Sequence, residues 1–457
     1  LKPEIFRAYD IRGQAGSDLN GDTAYAVGRG LGSQARRRGT TALAVGRDNR
    51  LSSPGLAAGV AAGIRASGVD VYDLGVVITP MFYYALHTLP VGGGAMVTGS
   101  HNPADENGFK LALGRSTIYG EEIQELYRIV AAGDFTAGRG ASIRTDIAGP
   151  YLAMLRERLG EAGAGLSVAV DCGNGTASLF AREFLKACGA RLIPLYCDSD
   201  GRFPNHHPDP VVPANLRDLR AAVREKGADL GVAYDGDADR LGVVDDTGRI
   251  VYGDLLMVLF WRDLLPRYPG AEAIVEVKCS QALVDEVTRL GGRPFFHRTG
   301  HSLIKATMRR TGAVFTGEMS GHLFFADAYF GYDDAFYATG RLLDLLRRAG
   351  QRLSGLLADV PVYYATGETR IPCADDKKFA VVGQLTGRFK ERFPVIDVDG
   401  ARVLFPRGWA LVRASNTQPV LVARCEAKDP DALASIREAV AGELARLGVP
   451  EFRWEEG

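Results

Sequence analysis

Three aspartates, Asp235, Asp237 and Asp239, stand two residues apart in the segment DGDADR, directly after the apolar run 230–234. Three hard anionic oxygens on one loop suit a hard divalent cation such as Mg²⁺. A solvated acidic turn would give the same spacing. An EF-hand would not, because Arg240 fills the slot where that loop needs glycine and its twelfth position is Asp246. Ser100 lies in TGSHNP after another apolar run, where a hydroxyl becomes a nucleophile if a base or metal activates it. Thr98, Ser100 and Asn102 would equally satisfy loop backbone groups. The G-x-S-x-G elbow of hydrolases is not matched, since Asn102 stands at its last glycine.

Three further segments carry recognition chemistry. RASNTQP offers Arg413, Ser415, Asn416 and Thr417 around one turn, the donor set an oxyanion such as phosphate needs. GEMSGH places Glu318, Ser320 and His322 together, a carboxylate and a hydroxyl suited to paired sugar hydroxyls. RTGH, ending at His301, opens a helix whose first N–H groups could face an anion. A P-loop is missing from the sequence. VAVDCGNGTAS only partly matches a dinucleotide fingerprint, and a tight strand-to-helix turn explains its glycines.

These loops need elements to hold them. Short apolar runs alternate with amphipathic stretches, the α/β pattern. One strand–helix–strand unit recurs three times: strand 41–45, helix 55–66, strand 69–74; strand 166–170, helix 177–187, strand 191–196; strand 273–277, helix 282–290, strand 294–297. Each copy is followed by one more strand ending in a polar loop, namely TGSHNP, DGDADR and TGEMSGH. Ligands bind at that end of strands in such sheets, so the three loops are expected to share a cleft. The tail differs. It reads as a strand at TGETRIP, a helix over 375–392, a hairpin turning at Asp399-Gly400, two more strands and a helix over 430–447, which is α+β. Boundaries fall near 147, 249 and 362, giving domains 1–147, 148–249, 250–362 and 363–457.

Composition limits the class. Lys+Arg is 54 and Asp+Glu 55 in 457 residues, a net charge of −1, which argues against a nucleic-acid binder and a polybasic membrane binder. Gly is 56, well above an average near 7%, consistent with many tight turns. Six cysteines without a C-x-x-C pair argue against a disulfide scaffold or zinc ribbon. The longest apolar run, 255–261, is far too short for a membrane span, and the start has no signal-peptide hydrophobic region. The expectation is a reduced, cytoplasmic protein, a monomer or weak dimer, without nucleic-acid or membrane partners.

TGSHNP, DGDADR, GEMSGH and RASNTQP, in this order behind FRAYDIRG, resemble the α-D-phosphohexomutases over essentially the whole chain. GEMSGH looks like the group active on both mannose and glucose phosphates, whereas phosphoglucosamine mutases carry GEQSGH. The resemblance implies three similar α/β domains with mixed sheets and a C-terminal α+β domain of TATA-binding-protein-like fold around a central cleft. It implies that Ser100 carries a phosphoryl group, with Asp235, Asp237, Asp239 and the Ser100 phosphate holding Mg²⁺. Glu318 and Ser320 match the sugar contacts, and Arg413, Ser415, Asn416 and Thr417 the loop for the substrate's phosphate. Tyr9, Arg12, His101, Lys110, Arg240, Lys278, His301 and His322 match other cleft positions. The implied reaction interconverts hexose 1- and 6-phosphates through a hexose 1,6-bisphosphate that turns over, with glucose 1,6-bisphosphate as activator. A hinge is expected near 362. His101, Lys110, His301 and His322 all remain candidates for the general base. The alternatives are a phosphoglucosamine mutase, or an inactive sugar-phosphate-binding protein on the same scaffold.

Overall fold

The apolar runs form strands buried on both faces, as near-continuous hydrophobic stretches do when helices cover a sheet. The computed structural model describes residues 2–416 and 418–456. The chain divides into two units, one of residues 1–256 with 320–358, the other of residues 257–319 with 359–457.

The first unit holds two mixed sheets. One orders Ile11–Gln14, Glu106–Leu113, Gly93–Val97, Ala42–Arg47, Asp70–Val76 and Ser142–Arg144. Ala42–Arg47 runs parallel to both Gly93–Val97 and Asp70–Val76, while Glu106–Leu113 returns antiparallel. The other orders Ile250–Val251, Leu241–Asp245, Leu230–Tyr234, Ser167–Asp171 and Arg191–Leu195, with the same arrangement of directions. The repeat read from the sequence is therefore a repeat of topology. In each sheet the first strand sends its crossover to one side and receives the later strand on the other. Register pairs Arg47 with Val97 and Asp171 with Ala233. The loops beginning at Thr98 and Asp235 thus leave at the carboxyl ends of two switch-point strands, where a crevice opens.

One expected helix is broken. Residues 177–187 form a short turn, Thr176–Leu179, and then the helix Ala181–Ala187. Tertiary contacts hold the first turn away from the helix path: Thr176 N–H donates to Gly236 O at 2.9 Å, and its hydroxyl pairs with Asn49. The backbone that a dinucleotide would need at Gly175 is already occupied by Gly236.

The second unit repeats the parallel theme with Glu272–Glu276 between Arg293–His297 and Phe315–Gly317. Its tail is an antiparallel sheet ordered Tyr364–Ala365, Val420–Ala427, Gly408–Ala414, Ala401–Phe405 and Val395–Ile396. Helices Lys378–Lys390 and Pro430–Arg446 pack on it around Leu385, Phe389, Val412, Leu421 and Leu444. The first of these is shorter than the expected 375–392. The hairpin turns at Asp399-Gly400, with Gly400 at φ +86°. Among the described residues no helix is long and apolar enough to cross a membrane.

Candidate active site

Ser100 is 2% exposed and adopts φ +49°, left-handed backbone that a residue with a side chain enters only at a cost. Two contacts hold the turn: Gly99 N–H donates to Asp48 Oδ2 at 3.1 Å, and Ser100 N–H to Thr98 Oγ1 at 2.9 Å. The hydroxyl then points at the acidic loop, donating to Asp235 Oδ2 at 2.8 Å, with His101 Nδ1 at 3.2 Å.

Asp235, Asp237 and Asp239 are fully buried, and one oxygen of each lies within 4.8 Å of the others. Ala238, at φ +59°, folds the loop so that all three turn inward. Asp235 Oδ1 accepts the N–H groups of Asp239 and Arg240, both at 3.1 Å. Asp237 Oδ2 accepts from Thr79 at 2.6 Å, Thr98 at 3.1 Å and Lys110 at 2.9 Å, and Lys110 also donates to Asp239 Oδ2. Asp237 Oδ1 and Asp239 Oδ1 are buried without a hydrogen-bond donor. Orphaned buried carboxylate oxygens are costly, and a cation is the partner that removes the cost. The trio therefore fits a metal ion.

The electrostatics agree. Burial, then the charges of Asp239 and Asp237, push Asp235 well above the usual carboxylate range. Burial also opposes ionisation of Asp237, but the charge and hydrogen bond of Lys110 outweigh it and hold that carboxyl low. Burial opposes the charge on Lys110, and Asp237, Asp239, Asp333 and Asp235 outweigh that, keeping its ammonium protonated. Lys110 is thus a hydrogen-bond donor to Asp237 and Asp239 in this setting.

Other positions of the first unit converge here. Arg12, on the strand Ile11–Gln14, pairs with Asp10 and donates to Asn102 Oδ1 at 2.9 Å, bracing the serine loop. Tyr9 is half-buried just before it. Arg240 Nε donates to His322 Nε2 at 2.9 Å, and His322 Nδ1 faces Asp333 Oδ2 at 2.9 Å. That pattern places the imidazole proton on Nδ1, toward the carboxylate. Asp333, fully buried, was not found from the sequence. Its only signal there is an Asp-Asp pair before a helix, which reads as a cap; Asp334 is that cap, accepting from Tyr337 N–H at 2.9 Å. Ser320 is half-buried at the start of the segment 320–358.

The second unit gathers the recognition residues. Lys278 is 6% exposed and donates to Glu368 Oε2 at 2.9 Å. Glu318 accepts Gly300 N–H at 2.8 Å, and Asp399 Oδ2 accepts Thr299 N–H at 3.0 Å. Two of the backbone amides of RTGH, which could face an anion, those of Thr299 and Gly300, are thus answered by carboxylates of this chain. Arg413 Nε donates to the same Asp399 oxygen at 2.8 Å, which fixes the plane of its guanidinium. Ser415 Oγ accepts Gln418 N–H at 3.1 Å, tightening the turn that carries half-buried Asn416. His301 is the buried first residue of the helix His301–Thr311. Thr417 lies outside the described residues. Glu368 and Asp399 were also missed, since nothing local sets them apart from surface acids.

Comparison with known proteins agrees with this arrangement. Residues 3–137, 150–248 and 252–364 match the alpha/beta/alpha domains I, II and III of phosphoglucomutase/phosphomannomutase, and residues 368–443 match its C-terminal domain. A phosphomannomutase/phosphoglucomutase of Pseudomonas aeruginosa is 45% identical over 446 residues, 97% of this chain and 96% of that protein. A phosphoglucomutase of Neisseria meningitidis is 43% identical over 439 residues, 95% of each. The crystal structure of a phosphoglucomutase/phosphomannomutase family protein from Burkholderia thailandensis superposes with a TM-score of 0.92 at 42% identity, covering 98% of this chain and 99% of that one. Loop order, sheet topology and full-length similarity lead to one conclusion: the chain belongs to the phosphoglucomutase/phosphomannomutase family, the α-D-phosphohexomutases.

Proposed function

We propose that this protein interconverts the 1- and 6-phosphates of glucose and mannose, through a phosphoryl group carried on Ser100 and a hexose 1,6-bisphosphate that reorients between two transfers. The observation that carries the reading is the buried Ser100 hydroxyl, aimed at Asp235 from a turn held in left-handed backbone. Asp235, Asp237 and Asp239 would hold Mg²⁺, which would supply positive charge for the phosphoryl group in transfer. The chain's own residues do the rest. Lys110 and Arg12 add fixed cationic donors on either side of the serine turn, charge that needs no reorganisation during transfer. His322 accepts from Arg240 at Nε2 and faces Asp333 with Nδ1, so it orients the Arg240 guanidinium, and the base for the sugar hydroxyl is sought among His101, Lys110, His301 and His322. Burial of Ser100 keeps water from competing for the phosphoryl group.

In the same reading Glu318 and Ser320 bind sugar hydroxyls, and Arg413, Ser415, Asn416 and Thr417 bind the phosphate that is not transferring. Lys278 and His301 assist them, while His101, Tyr9 and Arg240 line the transfer site. Glucose 1,6-bisphosphate primes Ser100. None of the residues named selects at O2, which supports turnover of both sugars. The matched ranges leave short gaps at 138–149 and 249–251, which support domain boundaries near 147 and 249; the third gap, 365–367, lies a few residues past the boundary placed near 362. We place the enzyme in the cytoplasm, as a monomer or weak dimer whose partners are hexose phosphates and not nucleic acid or membrane. The phosphoglucosamine and inactive-scaffold alternatives are disfavoured by the relatives' named activities and by an intact Ser100 and acidic trio.

The test is Ser100→Ala in a coupled assay of glucose 1-phosphate or mannose 1-phosphate with Mg²⁺ and glucose 1,6-bisphosphate. Turnover should vanish while substrate binding by calorimetry persists. Intact-mass analysis should find one phosphate on wild type and none on the variant. Wild-type turnover in the variant would end the phosphoserine assignment.

A further inference from the structure

Arg50 lies in the polar loop after the first strand, GRDNRLSSP, and its side chain is fully buried. Nη2 donates to the carbonyls of Ser100 at 2.8 Å and Asn102 at 2.6 Å. Nη1 donates to Glu106 O at 3.1 Å and to Pro103 O. Nε faces Asp48 Oδ2 at 3.2 Å, the oxygen that also accepts Gly99 N–H. Both terminal nitrogens of the guanidinium thus donate to the serine loop, while Nε stands beside the carboxylate that anchors it. The ring of Phe203 covers the cation at 5.0 Å.

Four backbone carbonyls converging on one point would repel one another without a cation among them. Ser100, whose left-handed backbone is unfavourable on its own, is the first of the four. Only a planar group with five donors in fixed directions can answer all of them; an ammonium has three and no plane.

We propose that Arg50 is a positioning residue for phosphoryl transfer: its guanidinium gathers the carbonyls of residues 100, 102, 103 and 106 and so holds the Ser100 hydroxyl on the acidic trio. This rests on the mutase reading above. Arg50 touches neither the sugar nor its phosphate in that scheme, so its loss moves kcat and leaves KM alone.

Arg50→Lys keeps the charge and most of the volume but not the fork. It should lower kcat about 100-fold, the cost of a nucleophile displaced by roughly an ångström. KM for glucose 1-phosphate should hold, and the circular dichroism spectrum should match wild type. Added guanidinium ion should restore part of the kcat of Arg50→Ala and none of that of Ser100→Ala. Should neither Arg50 variant fold, Gly99→Ala gives an independent arm. Its Cβ would stand 2.5 Å from the guanidinium carbon, pressing on the clamp with the cation retained, and should give the same split. Wild-type kcat in a folded Arg50→Lys or Gly99→Ala, or a loss confined to KM, overturns the proposal. A wild-type enzyme inactive on hexose phosphates would instead overturn the mutase reading.

Discussion

Gly236 stands between two of the three aspartates, and its substitution probes how tightly the acidic and serine loops are joined. A Cβ there would lie 2.3 Å from the carbonyl oxygen of Ser100 and 3.2 Å from its carbonyl carbon. Ordinary contact begins near 3.4 Å, so the loops must part by about 1 Å. Neither side yields easily. Behind Gly236, its carbonyl accepts Thr176 N–H at 2.9 Å; behind Ser100, the guanidinium of Arg50 holds the carbonyl at 2.8 Å. Opening the pair lengthens the 2.8 Å hydrogen bond from Ser100 to Asp235 beyond hydrogen-bond range. Gly236→Ala should therefore lower kcat about 100-fold, or about 2.7 kcal/mol of barrier, and cost about 1–3 kcal/mol of stability through overpacking. The assay is steady-state turnover of glucose 1-phosphate at saturating Mg²⁺, beside urea unfolding. Gly55→Ala is the control, since a Cβ there meets nothing within 4 Å and turnover should be unchanged. Wild-type kcat in Gly236→Ala would show that the nucleophile is not placed by this contact.

Asp333→Asn removes the charge behind His322, whose Nε2 holds the Arg240 guanidinium, and should lower kcat on the order of 10-fold with KM held; unchanged kcat by the coupled assay would remove the Asp333, His322 and Arg240 chain from the transfer step. Arg402 is fully buried, stacked 3.6 Å from the centroid of Trp409 and 4.4 Å from that of Phe296, and donates to the carbonyls of Val277 and Cys279. Arg402→Met leaves both carbonyls without their donor and should cost about 2–4 kcal/mol, read as a lower urea midpoint at constant m; a midpoint within error of wild type would refute it. Burial raises Asp334 to about 6 from 3.8, against the hydrogen bonds of Tyr337 N–H, Tyr329 and Tyr151. A carboxyl raised in the folded state contributes its stability in full below the unfolded value and loses it as pH rises through about 6. Asp334→Asn should thus flatten the change of Tm with pH between about 4 and 6, and an unchanged slope would count against the assignment.

What was legible in the residues was local. Apolar runs of strand length, glycines at turns and polar segments after late strands marked the α/β repeat, because burial on both faces of a sheet demands such runs and each loop follows its own strand in the chain. They marked Ser100 and the three aspartates for the same reason, since each lies at the end of a strand the pattern makes visible. What only the tertiary structure decided were the partners brought across loops. Asp333 reaches His322 from the far side of a hairpin, and Arg50 reaches Ser100 from a neighbouring strand end. Asp399 and Glu318 answer amides that a helix start alone would leave to an anion. Thr176 is drawn off its helix by Gly236. The charge on Lys110 was equally invisible, because a lysine becomes a fixed cation or a base according to the carboxylates folded around it, and those lie more than a hundred residues away in the chain. Spacing along a sequence fixes neighbours only within one element; between elements, packing selects them.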